Sequence, residues 1–344
     1  MTLSPGRRAL ALLAVMGFGC DDTSSSDGGG PAVALDLGMR PTVGDVGPDA
    51  PDVPPLALLD FGAPRGDAGP GADAVPPGTD AAPPNAQGCT SVDVLVVLDS
   101  SGSMVDNQVS VAASVPGFIQ KLRERLSFSR SYHLGLTTTS DYPWNAPGCT
   151  AIGDLVTQTG GPEALGEVCT PFADGQRFLT EREPDLVDSF DCIARVGAGG
   201  ADDERMMRAM LDAVSPEKNG PGGCNEGFLR PDSLLVLILL TDEDDVPDLC
   251  DGDGVCQTYG SGGDKQAWYD ELVAARGGTA EGIVVISILG RRGDNACGAV
   301  PAAKLIGFTG LFGENGYLGD ICAEQYDTVF DEALPVVVDA CSKR

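Results

Sequence analysis

Asp99, Ser101 and Ser103 stand at alternate positions at the end of the stretch VLVVLDSSGSM, residues 94–104. One carboxylate and two hydroxyls on a short turn offer only oxygen donors, which are the ligands that hard divalent cations take. A second carboxylate, Asp242, follows Thr241 after the run LLVLILL, 234–240. Brought beside Asp99 it would face a like charge, and a cation between the two relieves that repulsion. The turn has a purely structural reading as well, in which Ser101 or Ser103 caps the next helix and Asp99 makes a turn.

Other chemistries are poorly supplied. His133 is the single histidine, so Ser-His-Asp catalysis has one base and no clear partner. It falls in an expected strand, where it packs or faces solvent. No zinc spacing, Walker lysine loop or glycine-rich turn after the first strand occurs. The acids Asp242, Glu243, Asp244, Asp245, Asp248, Asp251 and Asp253 invite a calcium loop, but they miss the EF-hand spacing. A solvated acidic loop is the simpler reading. The expected class is therefore non-enzymatic. Metal-assisted hydrolysis is the enzymatic alternative and would need a base near the ion, with Asp141 or Glu204 as candidates.

These side chains need rigid elements behind them. Asp93 to Leu98, Leu234 to Leu240 and Ile283 to Leu289 are continuous apolar runs of the kind that form strands buried on both faces of a parallel sheet. Tyr132 to Leu136 is a weaker fourth, ending in three threonines. Between them lie helical patterns over Asn107 to Leu126, with Pro116 as an expected kink, Asp202 to Val214, and Lys265 to Ala275. Strands alternating with helices predict an α/β fold, a doubly wound, mostly parallel sheet flanked by helices. Ligands of such sheets bind outside the carboxyl ends of the strands, which here are Asp99, Thr137 to Asp141, Asp242 and Gly290. The long segments Asp141 to Gly175 and Glu243 to Gly263 leave from that same edge. Tyr142 and Trp144 on the first of them are candidate aromatic anchors for a partner.

Asp99-x-Ser101-x-Ser103 after a buried strand, with a later strand ending in Thr241-Asp242, resembles a von Willebrand factor A domain with its metal-ion-dependent adhesion site. The resemblance covers roughly Gly88 to the C-terminus. It implies a Rossmann-like fold, a divalent cation held by Asp99, Ser101, Ser103 and Asp242 (magnesium foremost, manganese or calcium otherwise), and an open coordination position for an acidic group of a protein partner. The threonine that the family carries after a glycine-rich turn is missing. The matching stretch, Gly197 to Glu204, has Ala201, which cannot bind metal, followed by Asp202, Asp203 and Glu204. These acids are possible replacements, or they begin a helix, where negative charge is favoured. A third carboxylate would make the site net negative and weaken recruitment of an acidic ligand.

The remaining sequence concerns address and anchoring. Residues 1–20 carry Arg7 and Arg8 and then a short apolar stretch ending at Cys20. This resembles a bacterial lipoprotein signal with Cys20 as the lipidated residue. The stretch 21–87 is rich in Asp, Gly, Pro, Ala and Ser. It holds 11 acids against 2 bases, which reads as a disordered tether. Residues 88–344 form the expected folded domain. The net charge of −29 argues against nucleic-acid binding. Ten cysteines follow the tether: Cys89, Cys149, Cys169, Cys192, Cys224, Cys250, Cys256, Cys297, Cys322 and Cys341. In an exported chain they predict five disulfides. Cys250 with Cys256 and Cys89 with Cys341 are plausible pairs, and the rest are open. The expectation is an envelope protein outside the cytoplasm, held to a membrane (the outer membrane or the cell surface) through Cys20, that binds another protein. A passive structural lipoprotein is the alternative.

Overall fold

The computed structural model describes residues 88–126, 131–201, 204–245, 249–250, 256–257, 260–291 and 297–344. All fall within the unit Pro77–Arg344. The signal and tether, Cys20, Asp202, Asp203, Asp248, Asp251 and Asp253 lie outside the described residues.

The apolar runs become the centre of one sheet. β1 (Ser91–Leu98), β2 (Ser131–Thr138), β3 (Leu179–Thr180), β4 (Leu234–Thr241), β7 (Ile283–Leu289) and β8 (Gly316–Asp320) lie in the order β3-β2-β1-β4-β7-β8. Every pairing is parallel except the edge pair of β2 and β3. All eight residues of β4 and all seven of β7 are buried, as expected of strands covered on both faces. The remaining strands, β5 (Leu249–Cys250) and β6 (Cys256–Gln257), pair antiparallel with Cys250 opposite Cys256.

Side chains of a strand alternate between faces, and β1 uses both. Val92, Val94, Val96 and Leu98 share a core with Val115, Phe118 and Ile119 of α1 (Val105–Arg125), Phe190 of α2 (Leu186–Ala194) and Phe330 of α7 (Tyr326–Ser342). Phe118 stacks on Phe330 with ring centroids 5.0 Å apart. Leu95 and Val97 face the other layer, with Met206 and Met210 of α3 (Met206–Ala213), Leu272 of α5 (Lys265–Ala275) and Phe308 of α6 (Ala303–Gly310). Each fully buried Leu, Val or Phe contributes roughly 1.5–3 kcal/mol relative to exposure, so two such layers hold the central strands rigidly.

Several sequence expectations change in detail. The helix over Asn107 to Leu126 begins at Val105 and runs through Pro116 without a break. The helix expected from Asp202 begins at Met206, leaving Glu204 in the preceding loop. β3 and β8 carried no strand signal, one being two residues long and the other GYLGD. A short helix, α4 (Pro216–Asn219), was likewise unmarked. Asp93, within the first apolar run, is fully buried in β1. Its carboxylate accepts from the Arg230 guanidinium and backbone N–H, both at 2.7 Å, and from the Ser233 hydroxyl.

Four disulfides are formed among the described residues: Cys89–Cys341, Cys149–Cys224, Cys169–Cys192 and Cys297–Cys322. The first joins the two ends of the folded region, and the next two fasten the long segment after β2. No described helix is long and apolar enough to cross a membrane.

Candidate cation site at the carboxyl edge of the sheet

The connection from β1 leads to β2 on one side, while β4 packs against the other side of β1. The strand order therefore switches direction between β1 and β4, the place where open α/β sheets form a binding crevice. In register, Leu98 lies opposite both Thr138 and Leu240. Asp99 and Thr241-Asp242 consequently emerge side by side.

Asp99 is fully buried. Its Oδ1 accepts from the Ser101 backbone N–H and its Oδ2 from the Thr241 hydroxyl, both at 2.7 Å. Ser101 Oγ lies 3.1 Å from Ser103 Oγ, and Ser103 donates to Asp242 Oδ1 at 3.1 Å. With the Ser103 proton given to Asp242, Ser101 is the donor to Ser103. The capping reading of the serines does not hold: the short turn Gly102–Met104 and α1 both start without a side-chain cap. Burial raises the pKa of Asp99, against the lowering effect of the Ser101 and Thr241 hydrogen bonds, and the Asp242 charge raises it further.

The glycine stretch before α3 docks on this turn. Gly200 N–H donates to Ser100 O at 2.9 Å, and a Cβ on Gly200 would fall 2.4 Å from Ser100 Oγ. Gln108 of α1 closes a two-way amide pair with the Gly197 backbone at 2.8 and 2.9 Å. This brings Glu204 in beside Asp99 and Thr139. Glu204 is 1% exposed, with its carboxyl against Thr139 and Asp99. Burial, and then the Asp99 charge, push its pKa up to about 9. The buried hydroxyls of Ser100, Thr137 and Ser140 have no hydrogen-bond partner. Unsatisfied buried polar groups are rare enough to require a cause, and here they gather at one edge of the sheet. A cleft of about 570 Å³ opens there, lined by Ser140, Asp141, Gly199, Gly200, Ala201 and Arg205.

The donor set suits a hard cation, because Asp99, Ser101, Ser103 and Asp242 present oxygen only. Among the described residues no three His, Cys, Asp or Glu side chains gather as a metal-holding group. The arrangement is instead an arc in which the two serine hydroxyls lie between the two carboxylates.

Other candidates have different employment. Asp141 Oδ1 accepts from Ile152 N–H at 2.8 Å, closing its own loop. Tyr142 is buried, its hydroxyl held by Gly160 and Val196. Trp144 is half-buried, packed edge-on to Tyr142 and over Gly160, Gly161 and Gly199. Burial takes Tyr142 out of reach of a partner, while Trp144 supports the loops beside the cleft and keeps part of its surface exposed. The acidic run also resolves. Asp244 accepts from Lys304 and Leu305 N–H at the start of α6, and Asp245 accepts from Met207 N–H at the start of α3 and from Ser261. Both are helix-terminus acceptors. Only tertiary contact reveals them, since the helices they cap are distant in sequence. His133 Nδ1–H donates to Phe228 O, 2.7 Å away, and the ring packs on Phe178.

No family model and no curated protein matches the sequence. Solved structures similar to the chain include proximal thread matrix protein 1 from the mussel byssus, at 14% identity and a TM-score of 0.38, over 74% of this chain and 49% of that one. The pilus adhesin SpaC from Lactobacillus rhamnosus GG in its open conformation is similar at 15% identity and TM-score 0.38, over 74% and 30%. A von Willebrand factor type A protein from Catenulispora acidiphila is similar at 12% and 0.33, over 74% and 43%. The chain spans under half the length of each.

Proposed function

We propose that this protein is a non-enzymatic, divalent-cation-dependent protein-binding module of the von Willebrand factor A type. The carrying observation is the hydrogen-bonded arc Asp99, Ser101, Ser103 and Asp242 at the switch point between β1 and β4. A cation there, magnesium foremost, would be held by these four residues. When bound it would supply a positive centre with a free position toward the partner. The protein's own contribution is to pre-set the ligands: two buried strands fix the carboxylates, Thr241 orients Asp99, and the cleft beside Gly200 admits the partner group.

Four disulfides favour an oxidising compartment, and the sequence at Cys20 favours a lipid anchor on the bacterial envelope. The test is calorimetric titration of magnesium, manganese and calcium into the protein and its Asp99→Ala variant. Wild type is expected to bind at least one of them and the variant to lose it. Equal, negligible binding by both would discard the cation site and leave a passive envelope component.

A further inference from the structure

One disulfide rests on the cation site from two directions. Cys297–Cys322 joins residues 25 apart in sequence. On the Cys297 side, Val300 N–H donates to the backbone carbonyl of Asp242 at 2.7 Å, and Ala302 N–H donates to Gly290 O at 3.0 Å. The fit there is tight, since a Cβ on Gly290 would fall 2.1 Å from Val300 O. On the Cys322 side, the cysteine N–H donates to Asp320 Oδ1 at the end of β8. The preceding residue, Ile321, is tied to β7 by its own N–H to Leu289 O. Its carbonyl accepts from Asn107 Nδ2 of α1 at 3.4 Å. α1 begins directly after the turn that carries Ser101 and Ser103. The bridge thus clamps the segment under Asp242 to the segment that braces the first helix. Its exposure also sets it apart from the other three disulfides. Cys89, Cys192 and Cys341 are buried and Cys149, Cys169 and Cys224 half-buried, whereas Cys297 is exposed.

We propose that Cys297–Cys322 is a thiol–disulfide exchange site, and that its oxidised form holds the cation site in its high-affinity arrangement. The control of affinity rests on the cation-site reading; the exchange chemistry does not. Exposed disulfides are the ones a dithiol reaches and reduces, whereas buried ones resist. A thiolate of the dithiol attacks Cys297 Sγ, the S–S bond breaks, and Cys322 leaves as a thiolate that takes a proton. The second thiol of the reductant attacks its own sulfur in the mixed disulfide and releases Cys297. Two electrons and two protons pass to the cysteines, and the reductant departs as a cyclic disulfide. Opening the bridge returns chain freedom to the segment it closed. The Asp242 backbone then loses a fixed support. Asp242 Oδ1 accepts from Ser103 Oγ, so a displaced Asp242 draws away from the serine hydroxyls. The buried strands β1 and β4 stay packed, and the domain stays folded.

The test is made on the whole protein. It is treated with a graded series of dithiothreitol, freed thiols are capped with iodoacetamide, the reductant is removed, and capped cysteines are located by peptide mass spectrometry. Cys297 and Cys322 are expected to be capped before Cys89, Cys149, Cys169, Cys192, Cys224 and Cys341. Magnesium, manganese and calcium are then titrated calorimetrically into the oxidised protein, the selectively reduced protein and the Cys297→Ser/Cys322→Ser variant. Both altered forms are expected to bind about tenfold more weakly than the oxidised wild type, an ordinary coupling between two sites, and to keep its near-UV circular dichroism. Cys89→Ser/Cys341→Ser, at the far end of the sheet, is expected to keep wild-type affinity. Should the Cys297→Ser/Cys322→Ser variant fail to fold, the selectively reduced wild type decides alone. Another of these disulfides opening first, loss of the near-UV signal on selective reduction, or reduced protein binding as tightly as oxidised would overturn the proposal and leave the cation site in place. An oxidised wild type that binds none of the three cations would discard the cation-site reading, and the control of affinity with it.

Discussion

Ser103 Oγ donates to Asp242 Oδ1 at 3.1 Å, across 139 residues of chain. This bond joins the turn after β1 to the end of β4 at the surface of the site. Ser103 is exposed and makes no cap, so its removal tests ligand function with little structural effect. Ser103→Ala should weaken the best-binding cation by about tenfold, roughly 1.4 kcal/mol. Its unfolding free energy should shift by no more than about 0.5 kcal/mol. Calorimetric titration and urea denaturation give the two numbers.

Gly200 has its own requirement, set by steric contact. A Cβ there would sit 2.4 Å from Ser100 Oγ and 2.7 Å from the Ser100 backbone. Gly200→Ala must push the glycine loop off the turn, at about 1–3 kcal/mol, and should weaken cation binding as well. Gly310→Ser, at an exposed glycine with open space around it and no positive φ, controls for a generic glycine effect on binding.

At the opposite end of the sheet, the half-buried Arg230 is the counter-charge of the fully buried Asp93. Arg230→Ala leaves that carboxylate buried beside Ser233 without its cation and should destabilise by about 3–5 kcal/mol. Chemical denaturation measures it.

His133 is the only imidazole in the chain, so its titration can be followed by NMR without ambiguity. Burial lowers its pKa from 6.5, an effect larger than the opposing Phe228 hydrogen bond. Because the folded pKa lies below the unfolded one, the unfolded state takes up the proton first as pH falls. The contribution of His133 to stability is thus complete above pH 6.5 and is lost as pH drops from there through the folded pKa. His133→Asn should flatten that part of the stability profile. A measured folded pKa above 6.5 would contradict it.

Cys89–Cys341 closes a loop of 252 residues and is reinforced by Cys89 N–H donating to Cys341 O at 3.2 Å. The double change to serine should cost about 2–5 kcal/mol. Cation affinity should be retained, since both ends lie at the start of β1 and the end of α7. Thermal melting and titration on the same sample check both statements.

Much of this molecule is readable along the chain. LLVLILL and IVVISIL are unbroken apolar runs, which only a strand covered on both faces can bury, and they are β4 and β7. Lys265–Ala275 is a helix at the expected residues, with Asp264 capping it from the adjacent position. Asp99, Ser101 and Ser103 are neighbours in sequence, so their juxtaposition was local information. Asp242 was legible because it ends a second central strand.

What the linear pattern could not carry is pairing between distant segments. Asp244 and Asp245 look like a free acidic run until α6 and α3 are folded against them. Tyr142 looks like a surface anchor until its hydroxyl is held by Gly160 and Val196 inside the fold. Asp93 reads as an interruption in an apolar strand until Arg230 reaches it. The placement of Glu204 depends on backbone hydrogen bonds to Ser100 and Asp245 that no period or composition encodes. Short-range patterning therefore determined the strands, the principal helices and the first half of the site. The tertiary structure decided which acids are caps, which are paired and which one stands beside Asp99, because burial and counter-charge are properties of contacts between segments far apart in the chain.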